Sequence, residues 1–425
     1  MNDAGDGRGR GALDRRSLLK GAIGSLGLFG AGSLARAADP PARSAGSAPI
    51  SPREKIAITR LETFLVKPRF LFLKVHTDAG IVGLGEPILE GRALTCAKAV
   101  EELAPYLIGK DPRRVVHHWQ AMYRHAFYRG GPILTSALSG VDQALWDIKG
   151  KALGVPVHEL LGGPTRDRVR VYAAASTPER VRERVAEGFT AIKTGVAGVG
   201  GKTSPRILES KSWLDKAAAA FAALRQAGGP EVDIAIDFHG AVSPQTAKLL
   251  IKALEPHQPW FVEEPVQCQD VEAMADIARG THLPIATGER VFTKWGFREV
   301  LEKRAASILQ PDLCHAGGIT EVRLIAGMAE AHYVPIAPHN PLGPISLAAG
   351  LQIAASIPNF LCQEQATLGV GYLKEPFKVK AGYLDVPTGP GLGIELDEEK
   401  LADKLNHDWK NAETYDPDDG SVTDW

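Results

Sequence analysis

Residues 234–242 read IAIDFHGAV, an unbroken apolar run that ends in two titratable side chains. Such a run is typical of a strand that is buried on both faces of a parallel sheet. Asp237 and His239 stand two residues apart, so their side chains point to the same side of an extended chain. The stretch therefore predicts a buried strand whose carboxyl end presents an acid and an imidazole to one place.

Similar runs recur along the chain with helical segments between them. Eight of them occur, namely VRVYAAA (169–175), FTAIKTGV (189–196), VDIAIDF (232–238), PWFVEEP (259–265), LPIATGE (283–289), ASILQPD (306–312), VPIAPH (334–339) and FLCQEQ (360–365). Continuous apolar strands that alternate with helices indicate parallel strands covered on both faces. Eight such units over roughly 200 residues predict an α/β fold, a (β/α)8-type barrel.

Six titratable residues close these runs at intervals of 23 to 27 residues. They are Asp237, Glu263, Glu289, Asp312, His339 and Glu364. Any one of them could be a helix N-cap or a surface charge. Catalytic groups collect at the carboxyl ends of barrel strands, so six in a row at one barrel period indicate an active site.

Asp237, Glu263 and Glu289 follow three neighbouring strands. Three buried carboxylates cannot all stay ionised without a counter-charge. An all-oxygen ligand set favours a hard divalent cation, and Mg²⁺ is the ion that usually leaves room for water and substrate. Salt bridges to Arg290 or Lys294, which are near in sequence, remain the alternative.

Asp312 precedes His339 by 27 residues, on the adjacent strand. A carboxylate held against one imidazole nitrogen fixes the tautomer and raises the basicity of the other nitrogen. These groups suit abstraction of a proton next to a carboxylate, with the metal stabilising the charge that develops. His239 could then protonate a departing hydroxyl, and Glu364 could hydrogen-bond the developing oxyanion if burial raises its pKa.

Residues 55–163 read differently from the barrel. Alternating strand-like segments come first and amphipathic helical segments follow, which predicts an α+β unit. We therefore divide the chain into this unit, a barrel over residues 164–380, and a C-terminal segment over 381–425 that returns to the α+β unit.

The motifs DFHG (237–240), FVEEPV (261–266), SILQPDLCHAGGITE (307–321) and APHNPLGPI (337–345) carry a family resemblance. The chain resembles the mandelate racemase group of the enolase superfamily, and within it the acid-sugar dehydratases, over roughly residues 55–410. The resemblance implies an enolase-like fold in which the α+β unit caps the barrel. It also implies that loops near Glu86–Arg92 and Tyr128–Gly131 select the distal end of the substrate.

The same resemblance implies a Mg²⁺-dependent loss of water, syn or anti, from a sugar acid to give a 2-keto-3-deoxy acid. By position, the metal ligands are Asp237, Glu263 and Glu289, the base is His339 with its partner Asp312, the acid is His239, and the eighth-strand carboxylate is Glu364. An epimerase or cycloisomerase on the same scaffold, or a non-catalytic sugar-acid binding protein, remain alternatives.

Racemases of this group carry Lys-x-Lys on the second barrel strand. Here Lys193 is present but Gly195 fills the second position, which argues against a two-base racemase. Lys193 could polarise the substrate carboxylate, or it could be an ordinary lysine whose amine reaches solvent.

Residues 1–37 have the three parts of a secretory signal in order. A basic region with Arg15 and Arg16 precedes an apolar stretch and an A-x-A site at Ala35–Ala37, which predicts export to the periplasm by the twin-arginine route. Residues 38–54 follow as a predicted disordered linker. The balance of 49 basic and 50 acidic residues argues against a nucleic-acid partner, and the apolar stretch is too short for stable membrane insertion. The resemblance implies a homo-oligomer.

Overall fold

A computed structural model of the chain describes residues 48–196, 208–416 and 419–424, which belong to one compact unit, Pro40–Trp425. The predicted signal peptide and residues 38–47 of the predicted linker lie outside the described residues. The end of that linker differs from the expectation of disorder. Ile50 is buried, and its backbone N–H donates to the Ala152 carbonyl at 2.7 Å, so this stretch is packed against the following unit.

The described strands are β1 (Ile58–Val66), β2 (Phe70–Thr77), β3 (Val82–Gly85), β4 (Arg168–Ala174), β5 (Ala191–Gly195), β6 (Asp233–Asp237), β7 (Val262–Glu263), β8 (Ile285–Thr287), β9 (Ile308–Leu309), β10 (Gln363–Glu364) and β11 (Tyr383–Asp385). The described helices are α1 (Ala93–Leu107), α2 (Val115–Arg124), α3 (Pro132–Leu153), α4 (Val157–Leu160), α5 (Pro178–Ala186), α6 (Lys211–Gly228), α7 (Pro244–Leu254), α8 (Val271–Arg279), α9 (Thr293–Glu302), α10 (Gly318–Ala331), α11 (Pro344–Ser356) and α12 (Glu398–Ala402). None of these helices is long and apolar enough to cross a membrane.

Strands β1, β2 and β3 form an antiparallel sheet, and helices α1 to α3 follow it. The predicted α+β unit is thus present, and we call it the cap. Helix α3 packs very close to β3, because a Cβ atom on Gly85 would lie 1.9 Å from the Gly140 carbonyl oxygen. Only glycine at position 85 permits this approach of helix to strand.

The second half of the described chain forms a ring of parallel strands in the order β10-β4-β5-β6-β7-β8-β9. The predicted run 334–339 fills the remaining place, where Ile336 bridges Leu309 on one side and Phe360 on the other. The ring therefore closes, and the predicted (β/α)8-type barrel with an α+β cap is confirmed.

The eighth unit departs from the regular repeat. Residues 365–382, all of which the structure describes, contain no helix, and the chain continues into β11, which pairs antiparallel with β4. The following segment returns to the cap: the Lys67 N–H donates to the Lys404 carbonyl at 2.7 Å and the Asn406 N–H to the Leu65 carbonyl at 2.8 Å.

The cap is joined to the barrel above strand β9. From α2 and α3, Trp119 Nε1 donates to the Gly317 carbonyl at 2.8 Å and Gln143 Nε2 donates to the Leu313 carbonyl at 2.8 Å. Asp142 accepts hydrogen bonds from the backbone and hydroxyl of Thr320. These contacts hold the loop that carries Asp312 against the cap.

Glu86 makes a second junction between cap and barrel. Its buried carboxylate accepts hydrogen bonds from the Gly343 N–H at 2.8 Å and the Ser346 N–H at 3.0 Å, at the start of α11. These amides have no partner within the helix, so the two carboxyl oxygens satisfy them. Glu86 itself therefore belongs to this junction, and the selection of the substrate by the loop near Glu86–Arg92 stays a prediction.

We expect Glu86 to make the stability of the parent protein depend on pH. Burial raises the pKa of Glu86 from 4.5 to about 8, against the two backbone hydrogen bonds, which lower it. Between these values the folded protein keeps a proton that the unfolded chain releases, so this contribution is complete below the unfolded pKa and is lost as the pH rises through the folded pKa. From pH 5 to 8, the free energy of unfolding of the parent should fall relative to that of Glu86→Gln by up to about 1.4 kcal/mol per pH unit.

Urea unfolding at several pH values measures this difference. Glu399→Gln, on the exposed side of α12, is the matched control and should follow the parent at every pH. Parallel curves for the parent and Glu86→Gln would contradict the assignment.

Candidate active site

The acidic strand ends meet at one mouth of the barrel because the strands are in parallel register. Asp237 of β6 pairs with Glu263 of β7, and Gly195 of β5 pairs with Asp237 on the other side. Both carboxylates are buried. Neighbouring residues in parallel strands point the same way, so these side chains share the barrel interior.

Lys193 lies at the centre of these carboxylates. Its Nζ is 2.8 Å from Glu263 Oε1, 3.0 Å from Glu364 Oε1 and 3.6 Å from Asp237 Oδ2. Burial lowers the pKa of Lys193, but the charges of Glu263 and Glu364 raise it well above its ordinary value. The amine therefore faces the site as a fixed cation and does not reach out to solvent.

Glu263 has a partner on each carboxylate oxygen. Lys193 contacts Oε1, and Gln310 Nε2 donates to Oε2 at 2.7 Å. Burial, and then the charge of Asp237, raise the pKa of Glu263 to about 8 in spite of the lysine. The site thus holds more carboxylate charge than Lys193 alone neutralises.

His339 and Asp312 form the pair expected from the sequence. His339 Nδ1 is 2.8 Å from Asp312 Oδ2, and Asp312 Oδ1 accepts a hydrogen bond of 2.6 Å from the Cys314 N–H. The buried Asp312 fixes the proton on Nδ1, which leaves Nε2 to face Glu289 Oε2 at 3.0 Å and Glu364 Oε2 at 3.8 Å.

The electrostatics of this pair follow from the surrounding acids. Burial lowers the pKa of His339, but the charges of Glu289 and Glu364 raise it well above its ordinary value. Burial raises the pKa of Glu289, but the charge and the hydrogen bond of His339 outweigh burial. The net result is a pKa of Glu289 well below its ordinary range.

His239 stands on the opposite side of Asp237. Its backbone N–H donates to Asp237 Oδ1 at 2.8 Å, and its ring Nε2 is 2.9 Å from Asp237 Oδ2. The charge of Asp237 raises the pKa of His239 to about 9, against burial, which lowers it. The imidazole is therefore a proton donor at neutral pH.

Glu364 ends the last barrel strand between the lysine and the base. Its Oε1 faces Lys193, and its Oε2 accepts a hydrogen bond of 2.9 Å from the Asn340 N–H.

The eight residues predicted for the site from the sequence are thus brought together at one mouth of the barrel. The alternative counter-charges contribute less: Lys294 pairs with Glu321, and Arg290 pairs mainly with Glu264 and lies 3.7 Å from Glu289 Oε1.

The donor set fits a divalent cation. Asp237, His239 and Glu289 each offer one ligand atom, and these atoms lie within 4.8 Å of one another. Glu263 is next to this group but contacts Lys193 and Gln310 instead. The excess carboxylate charge and the oxygen-rich donors are what a hard cation such as Mg²⁺ requires.

Some polar groups of the site escaped the sequence analysis. Gln310 lies two residues before Asp312 on the same inward face, a spacing that could have revealed it. The Asn340 side chain and the Tyr172 hydroxyl are buried without a hydrogen-bond partner among the described residues. Tyr172 lies beside Lys193, whose Nζ is 5.7 Å from the centre of its ring. Nothing in the local sequence marks either residue.

The loop after β3 approaches Asp312, the partner of the base, through His315. Glu90 Oε2 is 3.5 Å from Nε2 of the buried His315, and that nitrogen is 3.8 Å from Asp312 Oδ2. Ser136 of α3 contacts the other ring nitrogen of His315 at 3.0 Å. In the second predicted loop, Tyr128 is 85% exposed, so it is available to a ligand or a partner.

Comparison with known proteins shows which families this chain matches. Residues 50–162 match the family described as mandelate racemase / muconate lactonizing enzyme, N-terminal domain, and residues 176–400 match the enolase C-terminal domain-like family. Two proteins named D-galactonate dehydratase are similar: that of Ralstonia nicotianae is 48% identical over 387 residues, and that of Variovorax paradoxus is 47% identical over 383 residues. Each alignment covers 87% of this chain and 100% of the relative. A crystal structure of a member of the enolase superfamily from Salmonella Typhimurium superposes with a TM-score of 0.78 at 33% identity, covering 82% of this chain and 98% of that chain.

Proposed function

Since the chain belongs to the mandelate racemase and muconate lactonizing enzyme family of the enolase superfamily, we propose that it removes water from a sugar acid similar to galactonate. It is a carbon–oxygen lyase of the acid-sugar dehydratase kind, as the names of its relatives indicate for them. The observation that carries the reaction is the Asp312–His339 pair, whose Nε2 faces the acidic cluster at Glu289. The product would be a 2-keto-3-deoxy acid.

In the first step His339 takes the proton from C2 of the sugar acid. His339 acts in its neutral form, in which Asp312 holds the proton on Nδ1 and the lone pair of Nε2 accepts the C2 proton. The bonding electrons of the C2–H bond move into the carboxylate end of the substrate. Lys193 lies 3.0 Å from Glu364 and can face the charge that develops there, since its amine is held protonated.

A divalent cation such as Mg²⁺, held by Asp237, Glu263 and Glu289, would supply positive charge next to the substrate carboxylate. Of these residues, Glu263 now contacts Lys193 and Gln310, so it would share its oxygens between the cation and its present neighbours.

In the second step the 3-hydroxyl leaves. A C2–C3 double bond forms, the C3–O bond breaks, and His239 gives its proton to the departing oxygen to make water. The enol so formed loses the proton of its 2-hydroxyl, takes a proton at C3 and becomes the 2-keto-3-deoxy acid. The ring Nε2 of His239 lies 2.9 Å from Asp237 Oδ2, and this position at the edge of the acidic cluster supports its role as the acid.

Gly195 supports a single base. A Cβ atom at Gly195 would meet no atom of the described residues within 4 Å, and a racemase of the group carries a second lysine at this position. His339 is therefore the base that we assign, and a racemase that uses two bases lacks its second lysine at this position.

A panel of sugar acids tests the proposed function. Formation of a 2-keto-3-deoxy acid, detected by coupling the keto group to a hydrazine and by NMR, would support it. Inverted substrate without keto acid would favour an epimerase, and metal-dependent binding without turnover would favour a binding protein.

We expect Mg²⁺ to stabilise the folded protein through Asp237, Glu263 and Glu289. A ligand at 100 times its Kd stabilises by about 2.7 kcal/mol, so Mg²⁺ should raise the melting temperature of the chelator-treated parent. The rise should disappear in Asp237→Asn and persist in Glu272→Gln, a control on the surface of α8. An equal rise in Asp237→Asn would contradict this ligand assignment.

We also propose that residues 1–37 direct export to the periplasm and that the enzyme is a homo-oligomer. The paired Arg15 and Arg16 support the twin-arginine route. Replacing both by lysine should retain the protein in the cytoplasm, as cell fractionation would show, and light scattering would give the oligomeric state.

A further inference from the structure

The turn that carries His239 has an unusual backbone. His239 has φ +51° and Gly240 has φ +61°, so two consecutive residues are left-handed. The left-handed region is costly for a residue with a Cβ atom and persists only where the surroundings impose it. The structure must therefore contain groups that hold this turn.

Arg290 is the first of these groups. Its Nη2 donates to the His239 carbonyl at 2.9 Å, and its Nε and Nη2 donate to Glu264 Oε2 at 2.9 and 2.5 Å. The Glu264 side chain is fully buried, so its ion pair with Arg290 fixes the position of the guanidinium. Arg290 thus links the loops that follow β6, β7 and β8, and a planar guanidinium is suited to this because its donors have a fixed geometry.

Gln267 completes the support. Its Nε2 donates to the Gly240 carbonyl at 3.0 Å, and its Oε1 accepts from Arg290 Nη1 at 3.0 Å. The Gly240 N–H donates to the Glu264 carbonyl at 2.7 Å. A Cβ atom on Gly240 would lie 2.8 Å from Arg290 Nη2 and 2.8 Å from the Gln267 backbone nitrogen, so the Arg290 side chain and the Gln267 backbone close tightly around the turn.

We propose that Arg290 and Gln267 are positioning residues that hold the His239 turn so that its imidazole stays beside Asp237, where it meets the leaving hydroxyl. This inference rests on the proposed function, in which His239 is the acid. Among the described contacts, neither side chain touches His339 or Asp312. Arg290 comes no closer than 3.7 Å to Glu289, which faces His339, so the loss of either side chain should affect release of water far more than removal of the C2 proton.

Two variants test the proposal. Arg290→Lys keeps the charge beside Glu264 but loses the fork of donors, and Gln267→Leu removes the amide and leaves Arg290 and Glu264 in place. Each is assayed with a sugar acid in D₂O for keto-acid formation and for deuterium at C2 of the recovered substrate. Because misplacing a catalytic group by about 1 Å can cost about 100-fold, we expect the ratio of C2 exchange to dehydration to rise by at least about tenfold in Arg290→Lys. The ratio should rise in the same direction in Gln267→Leu.

Crystal structures of both variants give a readout that does not depend on the substrate. We expect the His239 turn to leave the left-handed conformation or to lose its contact with Asp237. Arg298→Lys on the exposed face of α9 is the control and should keep both the turn and the ratio of the parent.

An unchanged turn and an unchanged ratio in Arg290→Lys and Gln267→Leu would overturn the proposal. If Arg290→Lys does not fold, Gln267→Leu decides alone. A parent that forms no keto acid from any sugar acid would contradict the proposed function instead, and the crystal structures would then still decide whether Arg290 and Gln267 hold the turn.

Discussion

Replacing His239 by asparagine is expected to stop the release of water while exchange of the C2 proton continues. The ring Nε2 of His239 lies 2.9 Å from Asp237 and does not contact the Asp312–His339 pair, so the base keeps its geometry in the variant. Asparagine retains the backbone hydrogen bond to Asp237 and tolerates the left-handed conformation at this position better than most residues. The variant therefore loses the proton donor and keeps the backbone contact that holds the turn to Asp237.

The expected loss is large because a general acid contributes about 100- to 10,000-fold to a rate. Keto-acid formation should fall by at least about 100-fold, while deuterium should enter C2 of the recovered sugar acid. His332→Asn, on an exposed part of the barrel surface, is the matched control and should behave as the parent. A His239→Asn variant that still forms keto acid at the rate of the parent would remove His239 from the mechanism.

Replacing His339 by asparagine is expected to abolish both reactions. An amide has no lone pair on nitrogen that can accept the C2 proton, and its shorter side chain loses the link to Asp312. Dehydration cannot begin without removal of this proton, so both exchange and keto-acid formation should fall by about 1,000-fold or more.

The measurement is the same pair of assays in D₂O, with Mg²⁺ present throughout. Binding of the sugar acid, followed by calorimetry, should survive in His339→Asn and separates a chemical defect from a folding defect. Exchange that persisted at the parent rate would show that another group removes the proton.

Much of the fold follows from the sequence because the barrel repeats one physical pattern. Each buried strand is a short apolar run, and Asp237, Glu263 and Glu364 each come at the end of such a run. Parallel register brings the ends of successive strands to the same mouth of the barrel. The regular spacing of these residues along the chain was therefore sufficient to predict that their side chains meet there. The Asp312–His339 contact was predictable on the same ground.

Other features depend on tertiary contacts that local patterns do not contain. The choice between the two interpretations of Lys193 required the positions of Glu263 and Glu364 around its amine. Glu86 looked like part of a substrate loop because only the structure shows its carboxylate at the start of α11.

The left-handed turn at His239 is of the same kind. A positive φ at a residue other than glycine has no sequence signature when packing imposes it, and here Arg290 arrives from 51 residues further along the chain. The end of the linker also depends on tertiary contacts. Ile50 is a single large apolar residue in a stretch of polar and small residues, and this composition does not predict that Ile50 packs against the cap.

In the proposed reaction, His339 removes the C2 proton and His239 delivers a proton to the leaving hydroxyl. The most direct test is the deuterium content at C2 of the sugar acid recovered from His239→Asn and His339→Asn after incubation in D₂O. We expect deuterium at C2 with His239→Asn and none with His339→Asn. Deuterium with His339→Asn, or its absence with a folded, substrate-binding His239→Asn, would contradict it.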